Sequence, residues 1–153
     1  MDRRRFLTFA GLMAIPGLGA AAVQDVWAAP EAAQALEDDA IVLLDVRSRP
    51  EWAETGLAAG AWPVSMHEQG FERRLFAARD IAAGRPVALI CATGGRSGQL
   101  LAALNRAGYS GFVDVSEGML GSRSGPGWIA RGLPMSDLET ALAALPDALQ
   151  VTN

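Results

Sequence analysis

Short apolar runs alternate with amphipathic stretches along this chain, and the alternation predicts strands and helices in succession. Ile41-Val42-Leu43-Leu44 is a continuous apolar run, the pattern of a strand covered on both faces. Val87-Ala88-Leu89-Ile90 reads as a central strand, Phe112-Val113-Asp114-Val115 as another, and Ala61-Trp62-Pro63-Val64 as a short one. Between them lie helical stretches. One spans 30–40 with Pro30 at its start, one is a turn over 50–55 ended by Gly56, one spans 68–83 before Gly84, and one spans 96–107 before Gly108. Ser136, with Glu139 three positions on, predicts a capping box opening a last amphipathic helix. Gly118 to Gly127 is a glycine- and serine-rich loop. Strands alternating with helices predict an α/β domain with a mostly parallel central sheet. In such sheets ligands bind beyond the C-terminal strand ends, where Asp45 and Cys91 fall.

The 153 residues suffice for one domain with a sizeable core. All 13 cations are arginine, and the net charge of −4 with no basic cluster beyond the first residues argues against nucleic-acid binding. One cysteine excludes an intramolecular disulfide and a thiolate-rich metal site, and one histidine disfavours a histidine-based one. No metal or cofactor is expected.

The first 28 residues read as an export signal. Arg3-Arg4-Arg5-Phe6-Leu7 fits the twin-arginine form, and a weakly apolar stretch runs from Phe6 to about Val23. Val26-Trp27-Ala28 puts small residues at the −3 and −1 positions of a cleavage site before Ala29. The competing reading is an uncleaved anchor, but the run is short and interrupted by glycines and Pro16. The expectation is a signal over 1–28, a periplasmic domain over 29–153, and no membrane contact after cleavage. Removing 1–28 leaves a formal charge of −5.

The candidate chemistry centres on Cys91. It ends a strand and opens Cys91-Ala92-Thr93-Gly94-Gly95-Arg96-Ser97, after which a helix begins. A strand, a glycine-containing loop and a helix N-terminus form an anion cradle, and a thiol there is favoured as the nucleophilic thiolate. Arg96 is expected in an anion-site role, because a cation in a helix's first turn opposes the dipole. Ser97 is expected to cap the helix, or to donate to the sulfur. Asp45, Arg47 and Glu51 are read as structural support, with Arg47 and Glu51 pairing four residues apart and Asp45 tying the strand end to nearby backbone. His67 is read as a bystander, and Trp52, Trp62 and Trp128 as core or pocket-wall residues.

These residues carry a family resemblance. Leu43-Leu44-Asp45-Val46-Arg47, Glu51-Trp52 with Gly60-Ala61, the C-x-x-G-x-R-S form of Cys91 to Ser97, and Gly127-Trp128 with Gly132-Leu133-Pro134 occur in the order found in single-domain rhodaneses. The chain resembles that sulfurtransferase family from about Ala40 to Pro134. The resemblance implies a three-layer rhodanese-like fold. It also implies a Cys91 persulfide that passes sulfane sulfur from a small donor to cyanide or a thiol, with residues 92–97 binding substrate. Two departures stand out. Gly56-Leu57-Ala58-Ala59-Gly60-Ala61 lacks the histidine often found before the glycine-alanine step, and no lysine or arginine lies between Cys91 and Arg96, where some thiosulfate-using members carry one. Rival readings are a phosphatase or arsenate reductase, disfavoured by the short four-residue spacing, and a non-turnover persulfide carrier or redox sensor serving an exported partner protein.

Overall fold

The computed structural model describes residues 25–152. Its strands are β1 (Val26–Trp27), β2 (Val42–Asp45), β3 (Leu57–Ala58), β4 (Trp62–Pro63), β5 (Val87–Ile90), β6 (Phe112–Val115) and β7 (Met135–Ser136). Its helices are α1 (Ala29–Glu37), α2 (Arg49–Thr55), α3 (Phe71–Ala82), α4 (Gly95–Arg106) and α5 (Leu138–Ala143), followed by a short 3-10 helix at Asp147–Leu149. The central sheet has the order β1-β6-β5-β2-β4, and every pairing in it is parallel. β3 and β7 form a separate antiparallel pair.

All residues of β2, β5 and β6 are buried, as their nearly unbroken apolar runs require. On one face Val42, Leu44, Val87, Leu89 and Phe112 pack with Leu75 and Ala78 of α3 and with Leu101 and Leu104 of α4. On the other face Leu43, Ala88, Ile90 and Val113 pack with Ala29 and Ala32 of α1, Met119 and Trp128. The result is the three-layer α/β arrangement expected from the alternation.

Three local differences have clear causes. The helix expected from residue 68 starts at Phe71, because Gly70 adopts a left-handed conformation (φ +75) before it. The last helix is capped by Asp137, whose carboxylate accepts from Thr140 N at 2.7 Å, while Ser136 belongs to β7. The capping-box arrangement lies instead at α2, where the N–H and hydroxyl of Ser48 both donate to Glu51 Oε2. The twin-arginine motif lies outside the described residues. The proposed cleavage segment, Val26-Trp27-Ala28 before Ala29, lies within them: Val26 and Trp27 form β1 alongside Asp114 and Val115.

Candidate active site

β5 delivers Cys91 at its C-terminal end, and α4 begins four residues later. The turn between them is tight because Gly94, the residue before α4, has φ +81. A Cβ on Gly94 would sit 2.2 Å from Ser116 O, so only glycine fits there. The segment after β6 braces the loop from behind: Met119 N donates to Cys91 O at 2.9 Å, and Leu120 N to Ala92 O at 2.8 Å. The Gly118–Gly127 segment therefore fixes the loop's backbone. Glu117 holds that segment in turn. Its buried carboxylate accepts from Gly127 N, Ala29 N and the Arg131 guanidinium, which keeps the acid below its ordinary range.

Cys91 is 1% exposed, and its sulfur faces donors rather than hydrocarbon alone. Gly94 N lies 3.2 Å from Sγ, Ser97 N 3.5 Å and Ser97 Oγ 3.3 Å. Two of these donors come from the backbone where the turn becomes helix, so they are fixed by the fold and aimed at the sulfur. Ala92, Thr93, Gly94 and Gly95 form the loop rim, with Thr93 and Gly95 exposed. Ser97 is not the helix cap, which falls to Gly94; the hydroxyl is buried against Cys91. Ser97 sits in the third position of the helix and points back to the sulfur across the turn.

Arg96 departs from the expected role. Its guanidinium makes a two-pronged ion pair with Glu51, Nη1 to Oε2 at 3.0 Å and Nη2 to Oε1. The pair raises Arg96 above its ordinary value and lowers Glu51 to about 2, chiefly through that hydrogen bonding. The only cation of the loop is therefore matched by a carboxylate rather than free for an anion. The same Nη1 lies 3.0 Å from His67 Nε2. Arginine only donates, so in this contact the ring nitrogen is the acceptor. His67 is thus part of the rim, a contact invisible to a sequence with no partner near it.

The expected Arg47–Glu51 pair does not form. Arg47 precedes α2, so helical four-residue spacing does not apply to it; along the extended strand end it lies on the same side as Asp45. Both side chains are fully buried, with Arg47 Nη2 2.7 Å from Asp45 Oδ2 and Nε 3.0 Å from Oδ1. Arg47 also donates to Thr55 Oγ1 and Gly56 O, which ties β2 to the far end of α2. That fixes α2 and hence Glu51 beside the loop.

A cavity of about 820 Å³ lies elsewhere, between α1, Trp62, Trp128, Leu133 and Pro134, and no residue of the Cys91 loop lines it. It is lined by no thiol, hydroxyl or imidazole, so the loop is the better candidate for sulfur chemistry. Trp52 and Trp128 are both core residues, the latter donating from Nε1 to Pro134 O at 2.9 Å.

Sequence reasoning missed two buried acids, Glu117 behind the loop and Asp114 beneath it. Asp114, the third residue of β6, is 5% exposed beside Ser97, and burial raises its carboxyl above the ordinary range while Ser97 pulls the other way. The available signal was a charged residue inside a strand whose neighbours are all apolar.

With this geometry in place, the comparisons with known proteins identify the class. The chain matches the rhodanese-like domain family over residues 28–122 and belongs to that family. Among solved structures it is similar to the polysulfide-sulfur transferase homodimer from Wolinella succinogenes. That match has 22% identity and a TM-score of 0.52, covering 74% of this chain and 79% of that one. It is also similar to Rv0390 from M. tuberculosis, with 25% identity and a TM-score of 0.48, covering 72% of this chain and 96% of that one. No curated protein matches.

Proposed function

We propose that this protein is a sulfurtransferase that carries sulfane sulfur as a Cys91 persulfide. The observation that carries the reading is the set of three donors, Gly94 N, Ser97 N and Ser97 Oγ, within 3.5 Å of Sγ. They favour the thiolate as nucleophile and would stabilise a persulfide anion in the same cradle. In the first step the Cys91 thiolate attacks the outer sulfur of the donor. A bond forms from Sγ to that sulfur, and the donor's own bond to it breaks, its electron pair leaving with sulfite when thiosulfate is the donor. In the second step cyanide or a thiolate attacks the terminal sulfur, the bond to Sγ breaks, and the Cys91 thiolate returns. Two displacements at one sulfur predict ping-pong kinetics.

The electrostatics bear on the donor. The loop carries no cation before Arg96, and Glu51 neutralises Arg96. A donor whose binding depends on backbone N–H groups suits this rim better than one needing a guanidinium clamp. The same balance disfavours phosphatase and arsenate-reductase readings, which need cations for a doubly charged oxyanion. Steady-state rates of thiocyanate or acceptor-persulfide release, with both substrates varied, test the proposal. Parallel double-reciprocal lines and complete loss in Cys91→Ser are expected. A single persulfide without turnover would point to the carrier reading instead.

The export reading is proposed from the twin-arginine pattern at Arg3-Arg4-Arg5-Phe6-Leu7. Cleavage after Ala28 would remove β1 from the sheet edge, where Asp25 O accepts from Asp114 N at 2.7 Å, and would leave a new ammonium at Ala29 N beside the Glu117 carboxylate. The first residue of protein recovered from the periplasm tests both points. Ala29 supports cleavage there, a start before Val26 keeps β1, and protein found only inside the cell contradicts export.

A further inference from the structure

Two stretches near the N-terminus carry small residues at −3 and −1 of a cleavage site: Ala20-Ala21-Ala22 before Val23, and Val26-Trp27-Ala28 before Ala29. The fold treats the downstream one as structure. The peptide bond between Ala28 and Ala29 is held at both ends. Its carbonyl accepts from Ala32 N at 3.1 Å in the first turn of α1, and its N–H donates to Glu117 Oε1 at 3.3 Å. Ala29 is fully buried. On the N-terminal side Val26 and Trp27 pair with Asp114 and Val115. Asp25 O accepts from Asp114 N at 2.7 Å and Trp27 O from Ser116 N at 3.3 Å, while the Trp27 ring packs on the core beside α1. A peptidase takes the residues flanking its cut in extended form, away from other partners. Cutting after Ala28 therefore requires β1 to leave the sheet and the first turn of α1 to open. A twin-arginine passenger crosses the membrane already folded, so these contacts exist before a processing peptidase meets the chain.

β1 also supports the Cys91 loop. The Ser116 whose N–H donates to Trp27 O presents its carbonyl to Gly94 at the turn into α4. A chain begun at Ala29 loses that support, and one begun at Val23 keeps every contact from Asp25 onward. The upstream stretch meets the remaining requirements of a signal. Arg3-Arg4-Arg5 is the charged start, and the apolar run from Phe6 to Ile15 ends at Pro16-Gly17, within the usual length of about 7–15 residues.

We propose that the processing site is the Ala22–Val23 bond, so that the exported protein begins at Val23 and keeps β1 in its sheet. Hydrolysis there consumes one water: the C–N bond breaks, Ala22 leaves as the carboxylate of the released peptide, and Val23 becomes an ammonium. The catalyst is a peptidase of the class that removes export signals. The inference rests on the export reading and is independent of sulfur transfer.

Its test is the intact mass and first residue of the full chain after expression in a bacterium with twin-arginine export, read on periplasmic and cytoplasmic fractions. Periplasmic protein starting at Val23 is expected. The same start is expected in Ala28→Leu, which removes the small residue at −1 of the downstream stretch. A periplasmic start at Ala29, a start still at Met1, or loss of processing in Ala28→Leu would each overturn the proposal. Should Ala28→Leu fail to fold and cross, the wild-type first residue decides alone. Protein confined to the cytoplasm would overturn the export reading itself, and the fraction in which it is recovered tells that failure from a start at Ala29.

Discussion

Asp45 on β2 and Asp114 on β6 are both buried aspartates near the C-terminal ends of strands in one sheet, and the fold treats them in opposite ways. Asp45 is fully buried, and its oxygens accept from the Arg47 guanidinium and the Arg47 backbone N–H. Asp114 is nearly as buried, yet among the described residues its Oδ1 has no hydrogen-bond partner and its carboxyl makes no ion pair. The first arrangement fixes an ionised carboxylate and holds α2 in place. The second favours the neutral acid, because burial raises its carboxyl above the ordinary range. A buried acid near an active-site loop is thus tuned by what is kept away from it as much as by what touches it.

The largest effect should come from breaking the satisfied site. Arg47→Met leaves the Asp45 carboxylate buried without its cation, and a loss of about 3–5 kcal/mol in urea denaturation is expected. A loss under about 1 kcal/mol would mean that Asp45 is not held as a charge. Next is the loop that brings Cys91 close to β6. Gly94→Ala places a Cβ against Ser116 O at a left-handed backbone position, which should cost about 2 kcal/mol and slow Cys91 alkylation. Unchanged stability would show that the loop can move away from Ser116.

Replacing each aspartate by asparagine sharpens the contrast, because the two changes should have opposite signs. Asp45→Asn weakens a paired charge and destabilises, whereas Asp114→Asn removes a buried acid without a counter-cation and should stabilise by about 1 kcal/mol at neutral pH. The sign follows from the raised Asp114 carboxyl: its favourable neutral form is fully present below the unfolded carboxyl range and is lost as pH rises through the folded value. Wild type should therefore lose stability relative to Asp114→Asn as pH rises, read from denaturation midpoints at several pH values. The smallest effect belongs to the rim. Glu51 is lowered to about 2, so the stabilisation from its pair with Arg96 is present above pH 4.5 and fades as pH falls toward 2. Glu51→Gln should flatten that acid limb while costing no more than about 1 kcal/mol at neutral pH, since the pair is partly exposed and screened.

Much of this fold was legible in the sequence because strong apolar runs leave little choice. Val87–Ile90 and Phe112–Val115 form strands at the positions their pattern predicts, and Cys91 falls on the strand-to-helix turn that its glycines indicate. Of the two-residue strands, β4 was expected from Ala61-Trp62-Pro63-Val64, but β1, β3 and β7 were not legible, since no periodicity can be read from two positions. β1 was further concealed by its place at the end of a segment with export-signal features. Partner choice was the other blind spot. Spacing suggested that Glu51 pairs with Arg47, but tertiary packing brings Arg96 from 45 residues away and leaves Arg47 to Asp45. Ser97 looked like a helix cap because capping is what a serine near a helix start usually does. The glycine before the helix supplied the turn, which left the hydroxyl for the sulfur.

The central claim is that Cys91 carries transferable sulfur, and intact-mass measurement of the protein after thiosulfate or polysulfide, and then after cyanide, tests it most directly. One added sulfur, about 32 Da, located on Cys91 and removed by cyanide with release of thiocyanate, is the expected result. No added sulfur from any sulfane donor, or an adduct that persists in Cys91→Ser, would contradict it.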